Sequence, residues 1–109
     1  MTIFNQDRGE GVVELQGSKI HAADFRKSVR LRRILNYLLD GWEHYGRDIR
    51  NAVDCMALHS DIAELRHPKN GFEIQKIYHG KNENGRQLFA YRMTDADIKK
   101  YKQWIFNSV

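Results

Sequence analysis

The side chains that could carry covalent or metal chemistry are few and scattered. Five histidines, His21, His44, His59, His67 and His79, share no ligand spacing, and Cys55 is the single cysteine. Zinc sites draw on closely spaced cysteine and histidine pairs, so no metal is expected. The chain has no phosphate-cradling glycine loop between strand and helix, no HExxH pair and no nucleophile elbow. Asp95 and Asp97 read as favourable charge at a helix start rather than as an acid and base pair. These features argue against an enzyme, a cofactor or a small-molecule substrate. What remains is contact chemistry by basic side chains. Lys76, Lys81, Arg86 and Arg92 face only Glu83 across residues 76 to 92, which would draw phosphate. Basic residues at a hairpin end also keep edge strands from pairing with other chains. Arg26, Arg30 and Arg33 fall on one helical stripe beside Lys27 and Arg32, and such a run either binds phosphate or is a solvated face.

The elements that must position these groups fit one domain. The chain has 109 residues, 41% apolar and 29% charged, with a net charge of +4, the balance of an ordinary globular protein. The basic surplus lies mainly in residues 28–93. No stretch resembles a membrane span, and Met1 to Glu10 lacks the basic and then apolar layout of a signal peptide. With one cysteine and no intrachain disulfide, a cytoplasmic protein with a buried Cys55 is expected. Residues 1–11 read as a flexible arm and 12–109 as a single domain. Val12, Val13 and Leu15 before Gly17-Ser18, with Lys19 to His21 after, suit a short hairpin.

From Ser28 onward the spacing becomes helical. Leu31, Ile34, Leu35 and Leu38 recur at i, i+3, i+4 and i+7, which predicts a helix from about Asp24 or Ser28 to Asp40 with Gly41 as its stop. A second, short helix over Arg47 to Val53 would bury Ile49, Ala52 and Val53. Asp54-Cys55-Met56 breaks the pattern. Leu58, Ile62 and Leu65 then mark a third helix from about Ala57 to His67, ended by Pro68 and Asn70-Gly71. Phe72 to His79 and Gln87 to Met93 read as hairpin strands around a polar loop from Gly80 to Gly85. Thr94 and Asp97 form a variant capping box ahead of a C-terminal helix over 95–107.

"LRRILNYLLDG" at 31–41, "GRDIRNAV" at 46–53, "LHSDIAELR" at 58–66 and "GFEI" at 71–74, taken in this order, resemble small winged helix-turn-helix domains of the phage and prophage type. The resemblance covers residues 28–93. It implies an α+β fold of three helices and a β-hairpin wing, here with an added C-terminal helix. It further implies double-stranded DNA as partner, with helix three in the major groove and the wing on the backbone or minor groove. The chain departs from that pattern at the turn, where Asp54 stands in place of the usual glycine, and at Asp61, where a neutral or basic residue is the norm.

On this resemblance Ala57, His59, Ser60 and Glu64 are the base-reading candidates. Arg47 and Arg50 on helix two, with Lys76, Lys81, Arg86 and Arg92 on the wing, are the backbone candidates. Asp61 and Glu64 leave residues 55–66 with a net charge of −1, so helix three would gain little from its own charge. The bland alternative is that its exposed residues only face solvent. Tyr101, Trp104, Ile105 and Phe106 give the C-terminal helix much apolar surface. It either packs on the chain's own core or forms a homodimer or partner surface. The expected function is therefore a phage-like transcriptional regulator or accessory factor. Its rival is a winged domain that binds a host protein through helix three or the C-terminal helix. A continuous basic surface joining helix three to the wing would favour DNA, whereas an acidic break at Asp61 and Glu64 would not.

Overall fold

A computed structural model describes residues 22–107. The expected arm and N-terminal hairpin lie outside the described residues. Helix α1 spans Val29–Leu38. Its N-cap is Ser28, whose hydroxyl accepts from the Leu31 amide at 3.2 Å. Leu31, Ile34, Leu35 and Leu38, the four residues of the sequence stripe, are all fully buried. The helix stops where Gly41 takes φ +80°, a left-handed backbone that glycine adopts without penalty.

Strand β1 (His44–Tyr45) leads directly into α2 (Gly46–Val53). The buried face of α2 is formed by Gly46 and Ile49, with Val53 at its edge. Ala52 was expected there but is exposed, because it lies about 90° around the helix from that face. The turn out of α2 runs through Asp54 at φ 53° and ψ 51°, so this residue accepts the conformation that glycine would normally supply. Asp54→Gly should therefore stabilise the domain by roughly 0.5 kcal/mol, since relief of the left-handed strain outweighs glycine's entropic cost. Thermal unfolding would show it as a rise of roughly 2–4 °C.

Helix α3 (Leu58–Arg66) follows, and β2 (Gln75–Lys81) and β3 (Gln87–Arg92) form a hairpin. The sheet is antiparallel with order β1-β3-β2. Strand β2 starts three residues later than the sequence suggests. Its predicted first residues are diverted because Glu73 and Ile74 give their amide protons to Asp97, each at 2.8 Å, and not to a neighbouring strand. Ile74 is held at φ 29°, an unfavourable backbone for a β-branched residue. Arg66 donates to the carbonyls of Glu73 and Ile74 and fixes the same corner from α3. The hairpin tip is also shorter than expected. The strand reaches Lys81, and Asn82 Oδ1 accepts from the amides of Asn84 and Arg86.

Helix α4 (Asp95–Asn107) opens with the expected capping box. Thr94 Oγ1 accepts from the Asp97 amide and Asp97 Oδ2 from the Thr94 amide. Tyr101 donates its hydroxyl to Asn36 at 2.6 Å, and the Arg32 guanidinium lies over Trp104. Contacts made in this reversed order lay α4 antiparallel along α1. The chain ahead of Ser28 joins the same core. Asn70, fully buried, accepts from the Phe25 amide and donates to the carbonyls of Ala23 and Glu64. Phe25 thereby inserts among Phe72, Tyr101 and Trp104, with ring centroids 5.0, 6.2 and 5.3 Å away. The observed domain is a small α+β unit of four helices and a three-stranded antiparallel sheet among the described residues. Among these residues no helix is long and apolar enough to cross a membrane.

Candidate nucleic-acid interface

The exposed side of α3 follows from its buried side. Leu58, Asp61, Ile62 and Leu65 point inward, which leaves His59, Ser60 and Ala63 outward, with Met56 and Ala57 exposed just ahead. Three of the four base-reading candidates, Ala57, His59 and Ser60, thus share one exposed surface. Glu64 does not join them. It lies on the α1 side of the helix, where its carboxylate takes a hydrogen bond from Arg30 at 3.1 Å.

Asp61 departs furthest from its expected place. It is 4% exposed, pairs with Arg30 and accepts a hydrogen bond from the Cys55 thiol at 2.9 Å. An internal arginine and a thiol therefore neutralise and hold a carboxylate that sequence position alone would put on the reading surface. Asp61 and Glu64 are thus both paired with Arg30 and do not place an unpaired acidic charge on that surface. Burial, reinforced by the Asp61 carboxylate, pushes the Cys55 thiol up to about 11. At pH 8 a thiol with that pKa is ~0.1% thiolate, so alkylation of the folded protein should be ~100-fold slower than that of a free cysteine and should rise to the free rate on denaturation.

Three arginines in or just ahead of α1 are engaged in the same way. Arg26 binds Asp24 at 2.9 Å and holds that carboxyl down at about 2. Arg30 serves Asp61 and Glu64, and Arg32 donates to the carbonyls of Phe25 and Arg26. Of the predicted stripe, Arg26 and Arg30 are thus engaged within the chain, as is the neighbouring Arg32, whereas Arg33 is exposed.

Between the start of α2, the start of α3 and the hairpin lies a cleft of about 520 Å³. Arg47 and Arg50 enter it from α2, His59 from α3, and Asn82, Arg86, Gln87, Phe89 and Tyr91 from the hairpin. No carboxylate lines it. Gly46 lies at its back, where a Cβ would sit at ordinary van der Waals distance from the Arg50 guanidinium and the Tyr91 ring. Neither α2 nor α3 has a side-chain N-cap bond, and Asp48 and Asp61 lie in their first turns. Tyr91 ties the floor together through its hydroxyl, 3.3 Å from His59 Nδ1. Burial raises its phenol above the usual value against the opposing charges of Arg66 and Arg50. The phenol thus stays protonated. Chemically, the cleft presents guanidinium and imidazole donors with no carboxylate among its lining residues.

The remaining predicted contacts divide. Lys81 is exposed near the hairpin end, and Lys76 places its ammonium 4.2 Å from the Phe89 ring centre. Arg92 lies elsewhere, bonded to Gln75 Oε1 and bordering a second hollow with Asp40, Trp42, Glu43 and Asp95. The partner surface proposed for α4 shrinks as well. Tyr101 is buried and Trp104 half-buried, because residues ahead of Ser28 pack against them, whereas Ile105 and Phe106 stay exposed. Tyr45, Asn82, Phe89 and Tyr91 were missed as lining residues. The period of two in β3 places Gln87, Phe89 and Tyr91 on one face and could have grouped them. The described residues bring together no group of three or more His, Cys, Asp or Glu side chains able to hold a metal ion. Comparison with known proteins adds no relative, as no family model, no curated protein and no solved structure matches the chain.

Proposed function

We propose that the domain is a winged helix-turn-helix that binds double-stranded DNA, as a phage-type transcriptional regulator or accessory factor. The order α1, β1, α2, α3, β2, β3, with β1 paired to β3, is the arrangement such a domain requires. The observation that carries the reading is the cleft. Arg47 and Arg50 from α2, His59 from α3 and Arg86 from the hairpin converge on one concave surface with no carboxylate among its lining residues.

In this reading the cleft grips the sugar-phosphate backbone while the outward residues of α3 meet base edges. With the Tyr91 hydroxyl donating to Nδ1, a neutral His59 carries its proton on Nε2 and can donate to an acceptor on a base. Ser60 can donate or accept, and Ala57 can touch a thymine methyl. Lys81 extends the positive field along the hairpin, which acts as the wing.

A salt series of duplex affinities, measured by fluorescence anisotropy with random-sequence DNA, tests the reading. Neutralising about four to six phosphates should make log K fall against log salt with a slope of about −4 to −5. Lack of salt-sensitive binding even at low salt would favour a protein partner instead.

A further inference from the structure

The hairpin carries aromatic surface that a grip on duplex backbone does not need. Tyr78 is 52% exposed and stands opposite Phe89 across the strand pair. Their ring centroids are 5.5 Å apart with planes tilted by 53°. Cross-strand partners project to the same face of a sheet, so Tyr78 adjoins the side of the hairpin that closes the arginine cleft, where Phe89 is a lining residue. Lys76 crowns the Phe89 ring. One surface therefore combines an open phenol ring, a second ring bearing an ammonium group, and the guanidinium groups of Arg47, Arg50 and Arg86 beside them. A cross-strand aromatic pair also steadies a hairpin, but the tilted contact between the rings meets that need and leaves much of Tyr78 uncovered.

A ring can stack on a base only where the base's π-face is free. Inside a continuous duplex both faces are taken by neighbouring bases, whereas a terminal or unpaired base offers one. Positive grooves with aromatic platforms are the means by which proteins hold single strands. The cleft, at about 520 Å³, falls within the roughly 300–1,000 Å³ of sites that accept small organic groups.

We propose that Tyr78, backed by Phe89, forms a stacking platform for an unpaired base of DNA whose adjoining phosphates are held by Arg47, Arg50 and Arg86. The domain then prefers a duplex end or junction that carries a single strand over uninterrupted duplex. This inference rests on the DNA-binding reading and narrows its substrate.

The test compares a blunt duplex with the same duplex bearing a short single-stranded overhang, at one salt concentration, with 2-aminopurine as the first unpaired base. The overhang should bind about tenfold more tightly, and the 2-aminopurine emission should drop as the base stacks on the protein. Tyr78→Val, which keeps a strand-favouring side chain, should bring the ratio of the two affinities close to one, while Tyr78→Phe should keep it. Equal affinity for the two DNAs, or unchanged emission on binding, overturns the stacking site and leaves the duplex reading standing. A preference that persists in folded Tyr78→Val overturns the assignment to this hairpin. Binding to neither DNA overturns both readings. The emission measurement needs only the unaltered chain, so unchanged emission overturns the stacking site even where Tyr78→Val does not fold.

Discussion

Asp97→Ala is expected to lower the unfolding free energy by about 3 kcal/mol and the melting temperature by roughly 12–24 °C. The carboxylate is 2% exposed and accepts from the amides of Glu73, Ile74 and Thr94. Alanine would leave these donors without a partner, two of them at the corner where Ile74 holds a positive φ. An unpaired buried donor costs about 1–3 kcal/mol, and three shared by one group account for the size of the effect. Asp97→Asn keeps one acceptor oxygen of two and should lose about half as much. Thermal and urea denaturation of the two variants would check this ranking. Equal, small losses would mean that Asp97 acts only as a helix cap, whose removal costs ~1 kcal/mol.

The second large effect concerns binding. Combining Arg47→Ala, Arg50→Ala and Arg86→Ala should weaken duplex DNA binding by ~100-fold at moderate salt and reduce the magnitude of the salt slope by about 3, one for each lost phosphate contact. The three side chains line the cleft and have no carboxylate beside them there, so their removal should change stability by only about 0.5 kcal/mol each. Arg92→Ala removes the same charge from the side of the sheet that faces Trp42 and Asp95, and should alter affinity by about twofold or less. A similar loss from Arg92→Ala and from single cleft variants would point to diffuse attraction by net charge and not to a built site.

The order of elements was legible in the sequence because it rests on local periodicity and local turn chemistry. The α1 stripe, the left-handed turn at Asp54 and the Thr94/Asp97 capping box each involve residues within a few positions of one another. What escaped was the long-range pairing of polar groups. Arg30 lies 31 residues from Asp61, Asp97 lies 24 from Glu73, and Asn70 lies 45 from Phe25. Nothing in the residue types tells which partner each will find. A charge count along α3 therefore assigned Asp61 and Glu64 to the exposed surface, although the fold turns both toward Arg30. The same blindness made Arg26, Arg30 and Arg32 look available. Conversely, Arg47, Arg50 and Arg86 could be named from the sequence as backbone candidates, but their meeting with His59 in one cleft depends on how the hairpin folds back beside α2.

The central claim is that this cleft and the outward side of α3 together form the DNA interface. Amide chemical-shift mapping with a short duplex, at a salt concentration that permits exchange, tests it most directly. The account predicts changes concentrated at Gly46, Arg47, Arg50, His59, Ser60, Asn82 and Arg86, with Trp42, Ile105 and Phe106 unmoved. Changes centred on Trp42 or on the end of α4, with the cleft silent, would contradict it.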